Sequence, residues 1–484
     1  MNAMIFQKLV ARTSRLQRWR ALSTESSSIM GDEALNNYSS NYKLVIIGSG
    51  WAGYKFFHEC RKHRREIEKS VKNAVDVVII SKRNHFLYTP LLASTTVGTL
   101  EFRSIVEPIR DNHLRHEEDF LVANVRSIDP IQKKVGLQSE LNNHTYNIHY
   151  DTLVIACGAQ PVTFGLPGVE RHAFFLKELH HARAIRMRIL ENFELSTQPG
   201  ITEEEKSRLL HFVVVGGGPT GVEFCGELND FLVQDLARLY PLASKYVVIS
   251  LVDSGEILTG FDQHLRDFAL RKLSSRATLR LVKDNCKEVL EDGVILKSGT
   301  RIPCGLVVWT AGVGPNELTK SLNICDKSSR GNILTNEYCQ VLGVPQVENE
   351  SIFGLAMKSN VFSIGDCAEI VDSPLPATAQ KAQGQAIYLS QLLRQSLSSG
   401  KDGHVAPYHF QSRGMMAYLG SYEGLFELKS RKHPDGVLAR ASGWKAWFIW
   451  RSAYLTQLGS WRLRMQVPLD WLKAMIVGRD VSRF

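Results

Sequence analysis

Two glycine triads in this chain have the spacing G-x-G-x-x-G, which is typical of loops that bind a dinucleotide. Glycines at these positions let backbone N–H groups approach a pyrophosphate at the N-terminus of the following helix. The first triad lies in KLVIIGSGWAGYKF and the second in HFVVVGGGPTGVEF, and their glycines are Gly48, Gly50, Gly53, Gly216, Gly218 and Gly221. The sequence therefore predicts two dinucleotide sites in one chain.

Two carboxylates accompany the second triad. Asp253 ends the apolar stretch YVVISLVDS, where an acid can accept hydrogen bonds from the adenosine ribose, although aspartate is also a common turn residue there. Glu223 lies two residues past Gly221, where the helix dipole favours a carboxylate even without a function. The first triad lacks the corresponding acid, because its second strand ends in Ser-Lys-Arg. We expect a backbone group or Ser81 to make that contact.

The segments around the triads predict an α/β chain with two Rossmann-like dinucleotide-binding domains. An apolar strand that ends in a glycine turn occurs twice, in YDTLVIACGAQP and in GLVVWTAGVGP, so both halves have one architecture. The strand in NVFSIGDCAEI and a helix over 377–393 then complete the first domain. We predict a first domain over 41–165 and 345–395, a second domain over 166–344 inserted in it, and a distinct C-terminal region over 396–484.

The formal net charge of +9 is concentrated at the two ends of the chain. Residues 1–24 and residues 444–484 each carry a charge of +5, which leaves −1 for the body between them. A neutral body argues against nucleic acid as a partner. The N-terminal segment has arginines at near-helical spacing, downstream serines and no early acid. We therefore predict a mitochondrial transit peptide and linker over 1–40, with a basic tail as the alternative.

The eight cysteines are too widely spaced to indicate a metal cluster or a local redox pair. No two are closer than Cys325 and Cys339, and the sequence has no C-x-x-C motif. Thiols in this arrangement are typical of a protein in a reducing compartment, and we expect no metal site.

Long stretches outside the glycine loops resemble the type II NADH dehydrogenases, the rotenone-insensitive, non-pumping mitochondrial enzymes of plants, algae and fungi. These stretches include SKRNHFLYTPLLASTTVGTLEFRSIVEPIR, TEEEKSRLLHFVVVGGGPTGVEFCGEL, IGDCAE and WFIWRSAYLTQLGSW, and the resemblance covers residues 41–484. It implies FAD at the first glycine loop, NADH at the second, and a C-terminal region that docks on a membrane. The chain lacks the EF-hand pattern of some external plant members, so we expect no calcium control.

The resemblance also implies roles for individual residues. Asp366 is expected to meet the ribityl hydroxyls of the flavin, although aspartate also favours a helix N-cap. Glu223 is expected on the nicotinamide side of NADH. Gln380 is expected at the junction of flavin and quinone, although surface polarity explains glutamines in this helix equally well. The other residues expected near the cofactors are Thr89, Pro90, Cys157, Gly158, Ala311 and Gly312. For Cys157, the alternative is an inert core thiol.

The C-terminal region contains five of the eight tryptophans, and its aromatic residues recur at steps of three or four. We predict one helical face before Pro468 that carries Trp447, Trp450, Tyr454, Leu458, Trp461 and Met465. The basic residues nearby, without a run of 18 apolar residues, are typical of a helix that lies in an anionic membrane interface. A core stripe or a homodimer interface is the alternative.

The resulting hypothesis is a peripheral enzyme of the mitochondrial inner membrane, with the matrix side favoured, that oxidises NADH through FAD and reduces ubiquinone. One rival is a disulfide reductase, which requires a close cysteine pair after the first glycine loop. Another is a sulfide:quinone oxidoreductase, which does not use NADH. A flavoprotein that senses NADH and acts as an assembly factor is a third alternative, and turnover with a quinone separates it from the enzyme.

Overall fold

The computed structural model describes residues 41–110, 114–345, 360–398, 406–412, 414–429 and 437–482. Two α/β parts are built around sheets of parallel strands, and a C-terminal part consists of one small sheet and two helices. The predicted transit peptide over 1–40 lies outside the described residues.

The first glycine loop follows the middle one of the five parallel strands in a seven-stranded sheet. In sheet order the strands are Val361–Ser363, Thr152–Ile155, Tyr42–Ile47, Val75–Ser81, Phe120–Asp129, Lys134–Ser139 and Thr145–His149. The first five are parallel and the last two are antiparallel. The edge strand Val361–Ser363 comes late in the sequence and pairs with Thr152–Ile155. The chain therefore returns to this sheet after it has formed the five-stranded sheet described next.

The second glycine loop follows the middle strand of a five-stranded parallel sheet. Its strands, in order, are Phe174–Phe175, Leu306–Trp309, His211–Val215, Val248–Asp253 and Leu279–Lys283. A small antiparallel sheet of Cys286–Leu290, Gly293–Leu296 and Arg301–Pro303 extends this part. The two parts are connected by an antiparallel pair of short strands, Ala159–Pro161 and Val313–Pro315. Both glycine loops lie at the carboxyl ends of parallel strands, where ligands bind in open α/β sheets.

Helices cover the faces of both sheets, which explains why the central strands are almost wholly apolar. The α-helices of five or more residues are Trp51–Lys62, Arg64–Val71, Leu92–Thr96, Leu179–Ser196, Glu203–Leu209, Pro219–Phe231, Gln263–Ser274, Glu317–Ser321, Ala379–Ser398, Trp444–Gln457 and Trp461–Ile476. The smaller strand pairs are His85–Leu87 with Val106–Pro108, and Ile333–Thr335 with Ala368–Ile370. Phe56 and Phe57 are buried on the helix that follows the first glycine loop, so this helix is fixed by the core.

The C-terminal part contains an antiparallel sheet of Met415–Gly420, Glu423–Lys429 and Val437–Gly443, followed by the last two helices. The prediction of one continuous aromatic face is wrong. The first helix ends before Leu458, which is extended, and the Ser460 hydroxyl caps a new helix. Trp450 and Leu458 are buried, whereas Trp461 and Met465 are exposed. The break in the helix therefore divides the predicted stripe between core and surface.

The two C-terminal helices and the residue that follows them expose a set of large apolar side chains that we call the C-terminal apolar surface. It consists of Trp444, Phe448, Trp461, Met465, Leu469, Leu472, Met475, Ile476 and Val477. Pro468 lies inside the second of these helices. Among the described residues, no helix combines the length and apolar content that crossing a membrane requires. An exposed apolar patch of this kind marks an interaction surface.

Candidate active site

The first glycine loop has the shape of a pyrophosphate cradle. Gly48 has a φ of +106°, and a Cβ there would lie 2.2 Å from the carbonyl oxygen of Ala156. A Cβ at Gly53 would lie 1.9 Å from the carbonyl oxygen of Gly48. A Cβ at Gly50 would meet no protein atom within 4 Å, so this residue faces open space. Only glycine fits on the inner side of the loop, and the N-terminus of the following helix stays accessible to an anion.

The second glycine loop repeats this geometry. A Cβ at Gly221 would lie 2.0 Å from the carbonyl oxygen of Gly216, whereas a Cβ at Gly218 would meet no protein atom within 4 Å. Asp253 lies beside this loop, because its Oδ2 accepts a hydrogen bond of 2.6 Å from the backbone N of Gly217. The structure thus brings the predicted ribose-binding acid and the second glycine triad together.

Ser81 takes the position in the first half that Asp253 takes in the second. Its Oγ lies 2.7 Å from the Oγ of Ser49, which is part of the first glycine loop. The same oxygen accepts a hydrogen bond of 3.3 Å from the backbone N of Arg83. The Ser81 hydroxyl, which we expected to replace the missing acid, therefore lies next to the first glycine loop.

Asp366 lines a cleft of about 620 Å³ that also borders the two connecting strands. Its Oδ1 is buried and makes no hydrogen bond within the described protein. The turn that carries Asp366 is held by Gln385, whose Oε1 accepts a hydrogen bond of 2.8 Å from the backbone N of Gly365. Lys381 lines the same cleft and donates from Nζ to the carbonyl oxygen of Ala368 at 2.9 Å. A buried carboxylate oxygen without a partner can accept a hydrogen bond from a ligand hydroxyl.

Thr89 and Pro90 belong to a tight turn that packs against the first glycine loop. The Thr89 hydroxyl accepts a hydrogen bond of 2.9 Å from Nε1 of Trp51, the residue that directly follows Gly50. The Trp51 ring meets Phe86 edge-to-face, with 4.9 Å between the ring centroids. Sequence reasoning missed Trp51, and an aromatic residue directly after the open glycine was the signal that could have found it.

Cys157 and Gly158 follow the strand Thr152–Ile155 at its carboxyl end. Gly158 has a φ of +71°, and a Cβ there would meet no protein atom within 4 Å. The Cys157 Sγ lies 3.4 Å from the Oγ1 of Thr319. A hydrogen bond with Cys367, together with burial, raises the pKa of the Cys157 thiol well above its ordinary value. A neutral thiol of this kind is a poor nucleophile, which favours the structural alternative for Cys157.

Ala311 and Gly312 lie on the second connection between the two halves. The backbone N of Ala311 lies 2.8 Å from the position of a Cβ on Gly216, so Ala311 adjoins the second glycine loop. Gly312 has a φ of +73°, and a Cβ there would lie 2.6 Å from the ring of Phe164. Phe164 therefore covers Gly312, whereas the backbone at Ala311 borders the predicted NADH site.

Glu223 and Gln380 are both held by one C-terminal segment. The Glu223 Oε1 accepts hydrogen bonds from the backbone N of Tyr418 at 3.2 Å and from Nε1 of Trp450 at 3.4 Å. The Gln380 Nε2 donates to the carbonyl oxygen of Gly414 at 2.9 Å. Burial raises the pKa of Glu223 to about 8, so its carboxyl group carries a proton at neutral pH. The sequence contained no signal for these long-range partners.

Comparison with known proteins shows the family to which most of the chain is similar. The family model for pyridine nucleotide-disulphide oxidoreductases matches residues 42–386, and the model for the NDH2 C-terminal domain matches residues 412–480. A mitochondrial internal alternative NAD(P)H-ubiquinone oxidoreductase A1 from Solanum tuberosum is 40% identical, over 97% of this chain and 93% of its own. A mitochondrial external alternative NAD(P)H-ubiquinone oxidoreductase B3 from Arabidopsis thaliana is 32% identical, over 94% of each chain.

The fold is also similar to a solved structure, that of NDH2 from Plasmodium falciparum in complex with NADH. The TM-score is 0.79 at 23% sequence identity, over 91% of this chain and 100% of the other. This similarity confirms the predicted class of two Rossmann-like domains. The family models and the relatives confirm the resemblance inferred from the sequence, and the chain belongs to the type II, or alternative, NADH dehydrogenases within the pyridine nucleotide-disulphide oxidoreductase family.

Proposed function

We propose that the chain is an NADH:ubiquinone oxidoreductase that holds FAD at the first glycine loop and NADH at the second. The observation that carries this proposal is the repeated cradle, in which only glycine fits on the inner side while Gly50 and Gly218 face open space. Each cradle ends at a helix N-terminus, which attracts a pyrophosphate. Relatives that match nearly the whole chain are named NAD(P)H-ubiquinone oxidoreductases, which supports the same reaction.

The first loop fits FAD better than a mononucleotide. Loops of this shape bind a pyrophosphate, which FAD contains and FMN lacks. The unpartnered Oδ1 of Asp366 offers an acceptor for a ribityl hydroxyl, and Gly158 leaves the space at the strand end open. When bound, a flavin accepts hydride from NADH and transfers two electrons to a quinone.

The protein contributes binding, orientation and a proton. Gly218 leaves room for the pyrophosphate of NADH, and Asp253 is placed to accept hydrogen bonds from its adenosine ribose. Glu223, which the resemblance puts on the nicotinamide side of NADH, holds a proton on its carboxyl group at neutral pH, and we propose that it also protonates the quinone. Gln380 is fixed to the strand segment that also contacts Glu223, which supports its predicted place at the flavin–quinone junction.

The C-terminal apolar surface is proposed to lie in the membrane interface, where ubiquinone is dissolved. Its apolar side chains provide insertion, and four exposed cations on the same helices provide attraction to anionic lipid. These cations are Lys445, Arg462, Arg464 and Lys473. A second copy of the chain is the alternative occupant of this surface, which would make the protein a homodimer.

We place the protein at the mitochondrial inner membrane, with the matrix side favoured. Its relatives carry mitochondrial names, and its identity to the relative named internal exceeds its identity to the one named external. The basic N-terminal segment supports the same compartment.

Purification in detergent followed by three measurements tests this function. We expect a flavin absorbance spectrum, release of FAD on denaturation, and NADH oxidation that depends on an added short-chain quinone. A colourless protein that oxidises NADH would contradict the FAD assignment. A flavoprotein that binds NADH but does not turn over with quinone would instead favour the sensing or assembly role.

A further inference from the structure

Lys381 carries a buried ammonium group beside the turn that holds Asp366. It lies in the first turn of helix Ala379–Ser398, where its backbone N donates to the Oγ1 of Thr378 at 3.2 Å. Its side chain is turned inward, because Lys381 is only 3% exposed and its Nζ donates to the carbonyl oxygen of Ala368 at 2.9 Å. Lysine is among the residue types that are least often buried, so an ammonium held inside the protein needs an explanation.

Direct pairing with the neighbouring acids does not supply this explanation. Asp366 and Glu369 act on the Lys381 ammonium through their charge, without a hydrogen bond to it. The Oε2 of Glu369 instead accepts a hydrogen bond of 3.2 Å from Nδ2 of Asn332, and the Oδ1 of Asp366 has no partner within the described protein. Burial lowers the pKa of Lys381, whereas the charges of these two acids raise it and so favour the ammonium form.

The ammonium lies at the edge of the proposed flavin site. Lys381 and Asp366 line the same cleft of about 620 Å³. Ala159, which directly follows the open Gly158, borders this cleft as well. Gln380, which precedes Lys381 on the helix, is expected at the flavin, as are Asp366 and Gly158. The lysine therefore adjoins residues from three separate segments that are expected to contact the cofactor.

Hydride transfer changes the charge in this part of the molecule. A hydride that leaves NADH brings one proton and two electrons, and therefore one negative charge, to its acceptor. Asp366 and Glu369 already border the cleft, so their carboxylates oppose this added charge. Among the described residues that line the cleft, Lys381 is the buried cation, whereas Lys320 and Arg330 are exposed and their charges are screened by water.

We propose that Lys381 offsets the negative charge that hydride transfer brings to the flavin, and that it thereby raises the reduction potential of the bound cofactor. The Ala368 carbonyl fixes the ammonium before the reaction, so no rearrangement is needed as the charge forms. A buried charge is poorly screened and acts over several ångström, so this role requires no direct contact with the reacting atoms. The inference rests on the proposed function, and it makes Lys381 a residue that acts by its charge alone.

Lys381→Met tests this role, because it removes the charge and keeps a long side chain. The midpoint potential of the bound flavin is measured by redox titration against a reference dye, without NADH or quinone. At a given potential, we expect the ratio of reduced to oxidised flavin to fall about 10-fold, which for two electrons lowers the midpoint by about 30 mV. Rapid mixing should also show that NADH reduces the bound flavin about 3-fold more slowly or worse, since the charge already develops in the transition state.

Lys320→Met is the matched control, because it makes the same substitution at an exposed position of the same cleft. Its ratio of reduced to oxidised flavin should stay within about 2-fold of the wild-type value. Glu369→Gln removes a negative charge but keeps an acceptor for Asn332, so it should shift the midpoint in the opposite direction. Should Lys381→Met not fold, Lys381→Gln also removes the charge and retains a hydrogen-bond donor for the Ala368 carbonyl.

An unchanged midpoint potential in a folded Lys381 variant that retains its flavin would overturn the proposal. An equal shift in Lys320→Met, or a lowered midpoint in Glu369→Gln, would show that the buried charge is not the cause and would overturn it too. Folded Lys381 variants that cannot be loaded with added FAD would reveal a binding role instead, which also contradicts it. A wild-type protein without flavin absorbance would refute the proposed function itself, and that result is visible before any variant is made.

Discussion

Asp253 is expected to make the enzyme prefer NADH to NADPH. Its carboxylate accepts backbone hydrogen bonds from Gly217 at 2.6 Å and from Gly255 at 2.8 Å, which fixes it beside the second glycine loop. In this position it can accept hydrogen bonds from the ribose hydroxyls of NADH. The 2′-phosphate of NADPH would instead bring a second negative charge against it.

The size of this preference follows from the charge and the exposure of Asp253. Two unit charges about 4 Å apart repel by roughly 4 kcal/mol at an effective dielectric constant of 20. Asp253 is only partly buried, so screening should reduce the repulsion to about 1–2 kcal/mol. This energy corresponds to a kcat/KM for NADPH that is about 5- to 30-fold lower than for NADH. Asp253→Asn removes the charge but keeps a hydrogen-bond acceptor, so it should reduce the difference in kcat/KM between NADH and NADPH.

The assay compares kcat/KM for the two nucleotides at a fixed concentration of short-chain quinone. Asp284→Asn is the matched control. Asp284 follows the neighbouring strand, and its carboxylate accepts hydrogen bonds from the backbone N of Asn285 and of Ser298, whereas that of Asp253 accepts one from the second glycine loop. This variant should keep the wild-type ratio of kcat/KM for NADH to kcat/KM for NADPH. Equal kcat/KM values in the wild type, or an unchanged ratio in a folded Asp253→Asn variant, would refute this reasoning.

Three further changes test other parts of the site. Gly50→Val should give a protein without bound FAD, because the side chain fills the open side of the cradle; a variant that retains the flavin absorbance would contradict the assignment. Replacing the exposed Trp461 and Ile476 together by serine should reduce sedimentation with anionic vesicles but leave flavin reduction by NADH unchanged. Wild-type sedimentation would indicate a homodimer contact. Finally, between pH about 4.5 and about 8 the native protein holds a proton on Glu223 that the unfolded chain releases, so this group makes stability fall as pH rises. Glu223→Gln should flatten that fall in thermal unfolding, and an unchanged slope would show that the group is ionised in the native state.

The glycine loops were predictable because their requirements are local. A side chain at Gly53 would collide with the backbone of Gly48, and one at Gly48 would collide with the backbone of Ala156 after the neighbouring strand. These steric limits require glycine at fixed positions, and the spacing of the triad shows them in the sequence. The place of Asp253 follows from the same β-α-β geometry. Gln385 was less predictable, because its hydrogen bond to Gly365 depends on how a distant helix packs over the Asp366 turn.

The C-terminal helices show where periodicity fails. A step of three or four residues indicates one helical face, but the pattern does not detect a break such as that between Leu458 and the cap at Ser460. It also does not distinguish a tryptophan that packs on a buried acid from one in solvent. Trp450 is the first kind, because it donates to Glu223, and Trp461 is the second kind, at 79% exposed.

The C-terminal helices carry both exposed apolar residues such as Trp461 and buried residues such as Trp450, which contacts Glu223. The proposed membrane binding and the packing around Glu223 therefore depend on the same segment. Deletion of 444–484 would remove lipid-facing side chains, but it would also uncover Glu223 and take Arg479 away from Asp235. Removing one partner of a buried ion pair typically lowers folding stability by about 3–5 kcal/mol. The truncated protein could therefore lose activity even if membrane contact had no role. Point changes confined to exposed positions leave these buried partners in place. Only such changes can show that lipid contact itself, and not the closure of Glu223 by Trp450, controls access of the quinone.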